Sequence, residues 1–208
     1  MNKLLKRALI LAIITVVYNV IEGLVSVFFG AKDETLALLG FGVDSFVEVI
    51  SGIGILHMVL RMKYSKVNQR DKFERTALLI NGSAFYLLTL GLIAGSVLNI
   101  LYDVKPTTTF AGIIISVISI GTMYYLMNAK LKTGHEMKSD AIIADANCTK
   151  TCFYLSFILL ASSGLYEIFH ISYFDVLGSL GIAYYAFKEG RESFEKSKSA
   201  EISCECDD

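Results

Sequence analysis

Proline occurs once in the 208 residues, at Pro106, and charged side chains make up only 19% of the chain. Set against 54% hydrophobic residues and a mean hydropathy of +0.55, so little charge excludes a water-soluble domain of this length. Cysteine is scarce: four residues, as the pairs Cys148/Cys152 and Cys204/Cys206. No nucleophile with its base, no nucleotide-binding loop and no cofactor motif is present, so the chain reads as neither an enzyme nor the holder of a prosthetic group. The basic residues are dispersed and never form a nucleic-acid patch. The net charge of −1 carries little information about partners, because the asymmetry across a membrane outweighs the sum.

What the sequence has is long apolar runs. A transmembrane helix needs roughly 20 mainly apolar residues, and six stretches qualify, at approximately 8–29, 36–60, 76–101, 107–128, 139–165 and 172–190. This predicts an all-α polytopic membrane protein, with a membrane domain over 1–190 and a short tail over 191–208. The first stretch follows "MNKLLKR", is long, shows no small-residue cleavage site and contains Asn19 and Glu22. It is therefore expected to be a retained helix and not a signal peptide.

Lysine and arginine set the orientation. They cluster before span one, between spans two and three, between four and five and after six, whereas the intervening loops hold only Lys32 and Lys105. Both termini are thus expected in the cytoplasm, with the cell membrane as the host. The 62–75 loop reads as a topology determinant that also meets anionic lipid. On this topology neither cysteine pair faces an oxidising compartment, which leaves metal binding, redox chemistry or packing.

Ionisable side chains at membrane depth cost about 2.5 to 3.5 kcal/mol each on insertion scales, so they are read first as functional. Tyr18, Asn19 and Glu22 lie in span one, Asp44 and Glu48 in span two, Asp140, Asp145, Cys148, Lys150 and Cys152 in span five, and Asp175 opens span six. Residues four apart on a helix differ by about 40° and those three apart by about 60°. Asp44 and Glu48 therefore share a face, as do Asp145, Cys148 and Cys152. Two helices each offering a one-turn pair of anionic ligands can converge on one cation. The plainer alternatives are a protonated, hydrogen-bonded carboxylate pair and cysteines that merely pack. Lys150 points about 200° from Cys148 and is expected to pair with Glu22 or Asp140.

Taken together, "YNVIEGLVSVFFG", "LLGFGVDSFVEVISG", "ADANCTKTC" and "YFDVLGSLGIAYYAFKEGRES" resemble the transmembrane domain of the cation diffusion facilitators, divalent-metal exporters that are commonly metal/proton antiporters. The resemblance implies a secondary transporter that moves a cation out of the cytoplasm in exchange for protons. It lays Asp44 and Glu48 on the family's helix-two ligand pair and, with Ala144 and Asp145 as the lead-in, Cys148 and Cys152 on the helix-five pair. Another register puts Asp145 and Thr149 there, so Asp145 is kept as a fifth or substitute ligand. Two thiols in place of histidine and aspartate soften the site toward zinc, with cadmium next. The cation is expected to bind only transiently, as cargo.

After span six only "RESFEKSKSAEISCECDD" follows, which leaves the family's dimerising cytoplasmic module without a counterpart in these residues and a homodimer open. The Cys204/Cys206 end reads equally as a metal-capturing tail or as a disordered acidic one. Gly40, Gly42, Gly52, Gly54, Gly178 and Gly181 are expected to permit close helix approach, and His57 and His135 to be interfacial. Two other classes stand beside the transporter: a thiol redox protein using Cys148 and Cys152, whose spacing is poor for a dithiol switch, and a non-transporting membrane scaffold.

Overall fold

A computed structural model describes residues 3–33, 35–61 and 72–198, with backbone only at 74, 140, 141, 144 and 148. The described residues form six helices: α1 (Lys3–Lys32), α2 (Leu36–Arg61), α3 (Lys72–Tyr102), α4 (Phe110–Met137), α5 (Asp140–Phe169) and α6 (Tyr173–Lys198). None contains proline; Pro106 sits in the α3–α4 turn, where its missing N–H breaks no helix. Residues with left-handed backbone, Asp103, Lys138 and His170, follow α3, α4 and α5.

The first five helices are long and apolar enough to cross a membrane. The sixth is not apolar enough along its whole length, because Lys188, Glu189, Arg191, Glu192 and Glu195 crowd its second half. Its first half, apolar apart from Asp175, joins the bundle. Several helices overrun the expected spans; α4 continues to Met137 and α6 to Lys198. Large apolar side chains such as Leu87, Leu101 and Ile168 face outward, each about 70% exposed (71%, 71% and 72%), as a lipid-facing surface requires.

The most extensive pairings are α1 with α2, α3 with α6 and α4 with α5, and α2 also meets α3, α5 and α6. Helix two is thus the centre of the bundle. Its outer half, with Ala37, Leu38 and Phe41, packs against Leu92 of α3, Leu155 and Leu159 of α5 and Ile182 of α6 as the main core. The outer turns are laced over it. Thr107 N–H donates to Asp33 O at 3.0 Å, Thr35 Oγ1 donates to Thr108 O at 3.3 Å, and the Tyr166 hydroxyl donates to Pro106 O.

Two acids close the same end as helix caps. Asp175 accepts the free backbone N–H groups of Leu36 (2.9 Å) and Ala37 (3.2 Å) at the start of α2. Glu167 accepts from Thr109 N (3.0 Å) and Thr109 Oγ1 (3.1 Å) at the start of α4. Both satisfy donors that a helix N-terminus leaves unpaired, with the charge favoured by the dipole. The intramembrane acid Asp175 is therefore explained by capping.

Candidate metal-transport site

The inner halves of all six helices line a cavity of about 50 Å³ that contains Thr15, Asn19, Glu48, Asn81, Asp145, Cys152 and Glu189 among its walls. That is room for a small hydrated ion or a few waters. It lies below the packed outer core, so the polar groups of α2 and α5 face the side that the positive-inside bias assigns to the cytoplasm.

Glu48 is the junction. Cys152 of α5 donates its thiol proton to Glu48 Oε1, and Asn19 of α1 donates from Nδ2 to Glu48 Oε2 at 3.0 Å. Three helices therefore meet on one carboxylate. Cys152 is 5% exposed. One turn outward on α2, Asp44 is buried at 2% exposure, and its Oδ1 has no hydrogen-bond partner among the described residues. The adjacent Ser45 donates to Glu22 Oε2 at 3.2 Å, and Tyr18 to Glu22 Oε1 at 2.9 Å. A continuous polar seam thus joins α1 and α2 behind the junction.

The structure brings together Glu48 and Cys152 of the expected ligands. Cys148 lies on α5 one turn before Cys152, and its side chain is outside the described residues, as are Cys204 and Cys206. Among the described residues, no three His, Cys, Asp or Glu side chains come together as a ready-made metal cluster. Asp145 and Thr149 line the same cavity but are engaged by a lysine. Lys130 of α4, 1% exposed, donates to Asp145 Oδ1 at 2.9 Å and to Thr149 Oγ1 at 2.9 Å. Lys150, expected to pair with Glu22 or Asp140, is instead exposed, with Nζ 5.9 Å from the Tyr154 ring, while Glu22 accepts from Tyr18 and Ser45 and the Asp140 side chain is outside the described residues.

The pairing of Asp145 follows from helix geometry: Lys130 lies in the last turns of α4, directly across from the first turns of α5. His57 stacks on Phe73 with ring centroids 4.6 Å apart, and His135 is exposed near the end of α4; neither lines the cavity. Sequence reasoning singled out Asn19 only as a polar residue at membrane depth, counted Lys130 only toward topology, and gave no role to Asn81 or Glu189. Asn19 carried a signal, being an amide one turn before an intramembrane acid. Lys130 carried none, since it fell in a basic segment already explained by topology.

A bundle of long apolar helices with a carboxylate–thiol junction buried between its central helices defines a polytopic membrane protein with a polar interior. The model of the cation efflux transmembrane domain matches residues 9–200, and the chain belongs to that family; it is a multi-pass membrane transporter of metal cations. No curated protein matches it.

Proposed function

We propose that this chain exports a divalent transition-metal cation from the cytoplasm, zinc first and cadmium next, in exchange for protons. The observation that carries the reading is the Cys152–Glu48 contact, which sets a thiol of α5 against a carboxylate of α2 inside an inward-facing cavity. Asp44, with a buried and unpartnered oxygen one turn away, is the next ligand on α2, and Cys148 the next on α5. Thiolate with carboxylate suits zinc and cadmium better than manganese or magnesium.

The proton that Cys152 shares with Glu48 must leave before both can hold the cation, so loading displaces protons and unloading takes them back. Release on the outer side requires the packed outer core and its laced turns to open while the inner cavity closes. Lys130 already engages Asp145 and Thr149 within that cavity, which favours the cysteine register. Zinc flux in proteoliposomes is expected to increase when a pH gradient drives protons against it. Flux indifferent to the gradient contradicts the coupling, and no flux of zinc or cadmium contradicts the cargo.

A further inference from the structure

The same cavity contains groups that the Glu48–Cys152 junction does not use. Asn81 of α3 is 4% exposed and donates from Nδ2 to Ser193 Oγ of α6 at 3.4 Å. Its Oδ1 is buried with no hydrogen-bond partner among the described residues, although Asn81 lines the cavity. A buried carboxamide oxygen with no donor loses about 1 to 3 kcal/mol relative to a satisfied one, which asks what satisfies it. Glu189, one turn before Ser193 on α6, also lines the cavity and accepts from Thr151 Oγ1 of α5 at 2.7 Å.

The close packing of the α3–α6 seam runs through Gly82 against Phe194 and Gly190 against Tyr86, whereas Asn81 crosses it with a single long hydrogen bond to Ser193. Asn81 and Glu189 are both oxygen donors, in contrast to the thiol above them. The cationic side chains of the cavity wall are matched locally: Lys130 to Asp145, and Lys196 to Glu192 at 3.0 Å. Lys196 also acts electrostatically on Glu189, and an entering cation competes with it there.

We infer that Glu189 and Asn81, with the hydroxyls of Thr151 and Ser193, form a second cation station on the cytoplasmic side of the Glu48–Cys152 junction, an all-oxygen site that holds the divalent cation with part of its water still attached. This deepens the transport reading and rests on it. One carboxylate, one amide oxygen and hydroxyls are too few to strip a divalent ion, and hard oxygen donors leave water in the remaining positions. The ion then sheds that water on passing to the thiolate. A cation so held also satisfies Asn81 Oδ1.

Cadmium separates the two stations, because only thiolate ligation gives a ligand-to-metal charge-transfer band. The purified full chain, carrying Cys204→Ser and Cys206→Ser so that the tail adds no thiolate, is titrated with cadmium. The band and the total bound metal are read together. The expected result is more cadmium bound than the band accounts for. Glu189→Gln then removes the excess and leaves the band, which also shows that the variant is folded; Glu189→Asp restores the excess. In transport, Glu189→Gln is expected to raise KM for cadmium about tenfold, the lower end of what a lost charge-assisted contact costs, with kcat little changed.

An excess that survives Glu189→Gln overturns the inference. If Glu189→Gln loses the band as well, Asn81→Ala is judged by the same criterion. If no chain shows a band, the thiolate reading of Cys152 fails, and the inner station still stands or falls on whether Glu189→Gln lowers the metal bound.

Discussion

Glu48 is the residue on which the account turns, because it receives a donor from each of two other helices. Asn19 fixes its orientation without offering the cation a charge. Groups that orient a metal ligand typically contribute 10- to 100-fold to affinity, so Asn19→Ala is expected to raise KM for zinc about tenfold, and uptake kinetics in proteoliposomes check it. Lys130 and Asp145 behave differently, as a buried pair. Removing one charge leaves the other stranded, so Lys130→Met is expected to destabilise the protein by about 3 to 5 kcal/mol. Adding Asp145→Asn should recover most of that loss, as thermal unfolding in detergent would show; a double variant no better than the single one would mean that the pair is not coupled.

At the scale of elements, the helices hold the site by close approach and by caps. A methyl on Gly42 would lie 2.7 Å from the backbone N of Val27, whereas one on Gly54 would meet only the Ala77 methyl at 3.4 Å. Gly42→Ala must therefore push α1 from α2 and is expected to cost about 1 to 3 kcal/mol, while Gly54→Ala should be tolerated; melting temperatures distinguish the two. Asp175→Ala uncaps α2 at its outer end and should cost about 1 to 2 kcal/mol without abolishing cadmium binding at the inner cavity.

That Asp44 and Glu48 share a face of α2 was legible from helical periodicity, and the expected close approach holds at Gly40, Gly42, Gly52, Gly178 and Gly181 but not at Gly54. Helix ends were not legible, since α4 and α6 continue past the apolar segment once neighbouring helices supply packing. That continuation is what buries Lys130 and brings Ser193 and Lys196 to the cavity wall; Glu189 already fell at the end of the expected sixth span. The acid that opens α6 was legible as costly but not as a cap, because the N–H groups it satisfies lie on α2, far away in sequence.

For the whole molecule, a polar cavity lies among the helix halves remote from the α1–α2, α3–α4 and α5–α6 turns, with a packed apolar core between the cavity and those laced turns, which on the expected topology is an inward-facing arrangement. The number of helices followed from hydropathy, and the expected orientation rests on lysine and arginine; both are sums over many residues. Which polar side chains meet depends on the rotation of each helix about its axis, and only the folded bundle fixes that. Loosening the outer end should therefore favour the outward-facing state. Thr109→Val, which removes a donor to Glu167 and to Ser163 O (2.7 Å), is expected to raise the labelling of a cysteine placed at Leu155 from the outer side. Unchanged labelling would mean that the outer lacing does not gate.

The central claim is that the α2–α5 junction holds the transported ion through a thiolate and a carboxylate. The most direct measurement compares zinc, cadmium and manganese uptake into proteoliposomes by the intact chain, Cys152→Ser and Glu48→Gln. The account predicts zinc and cadmium uptake by the intact chain, loss of cadmium preference in Cys152→Ser and loss of all uptake in Glu48→Gln. Cadmium uptake by Cys152→Ser equal to that of the intact chain would contradict it.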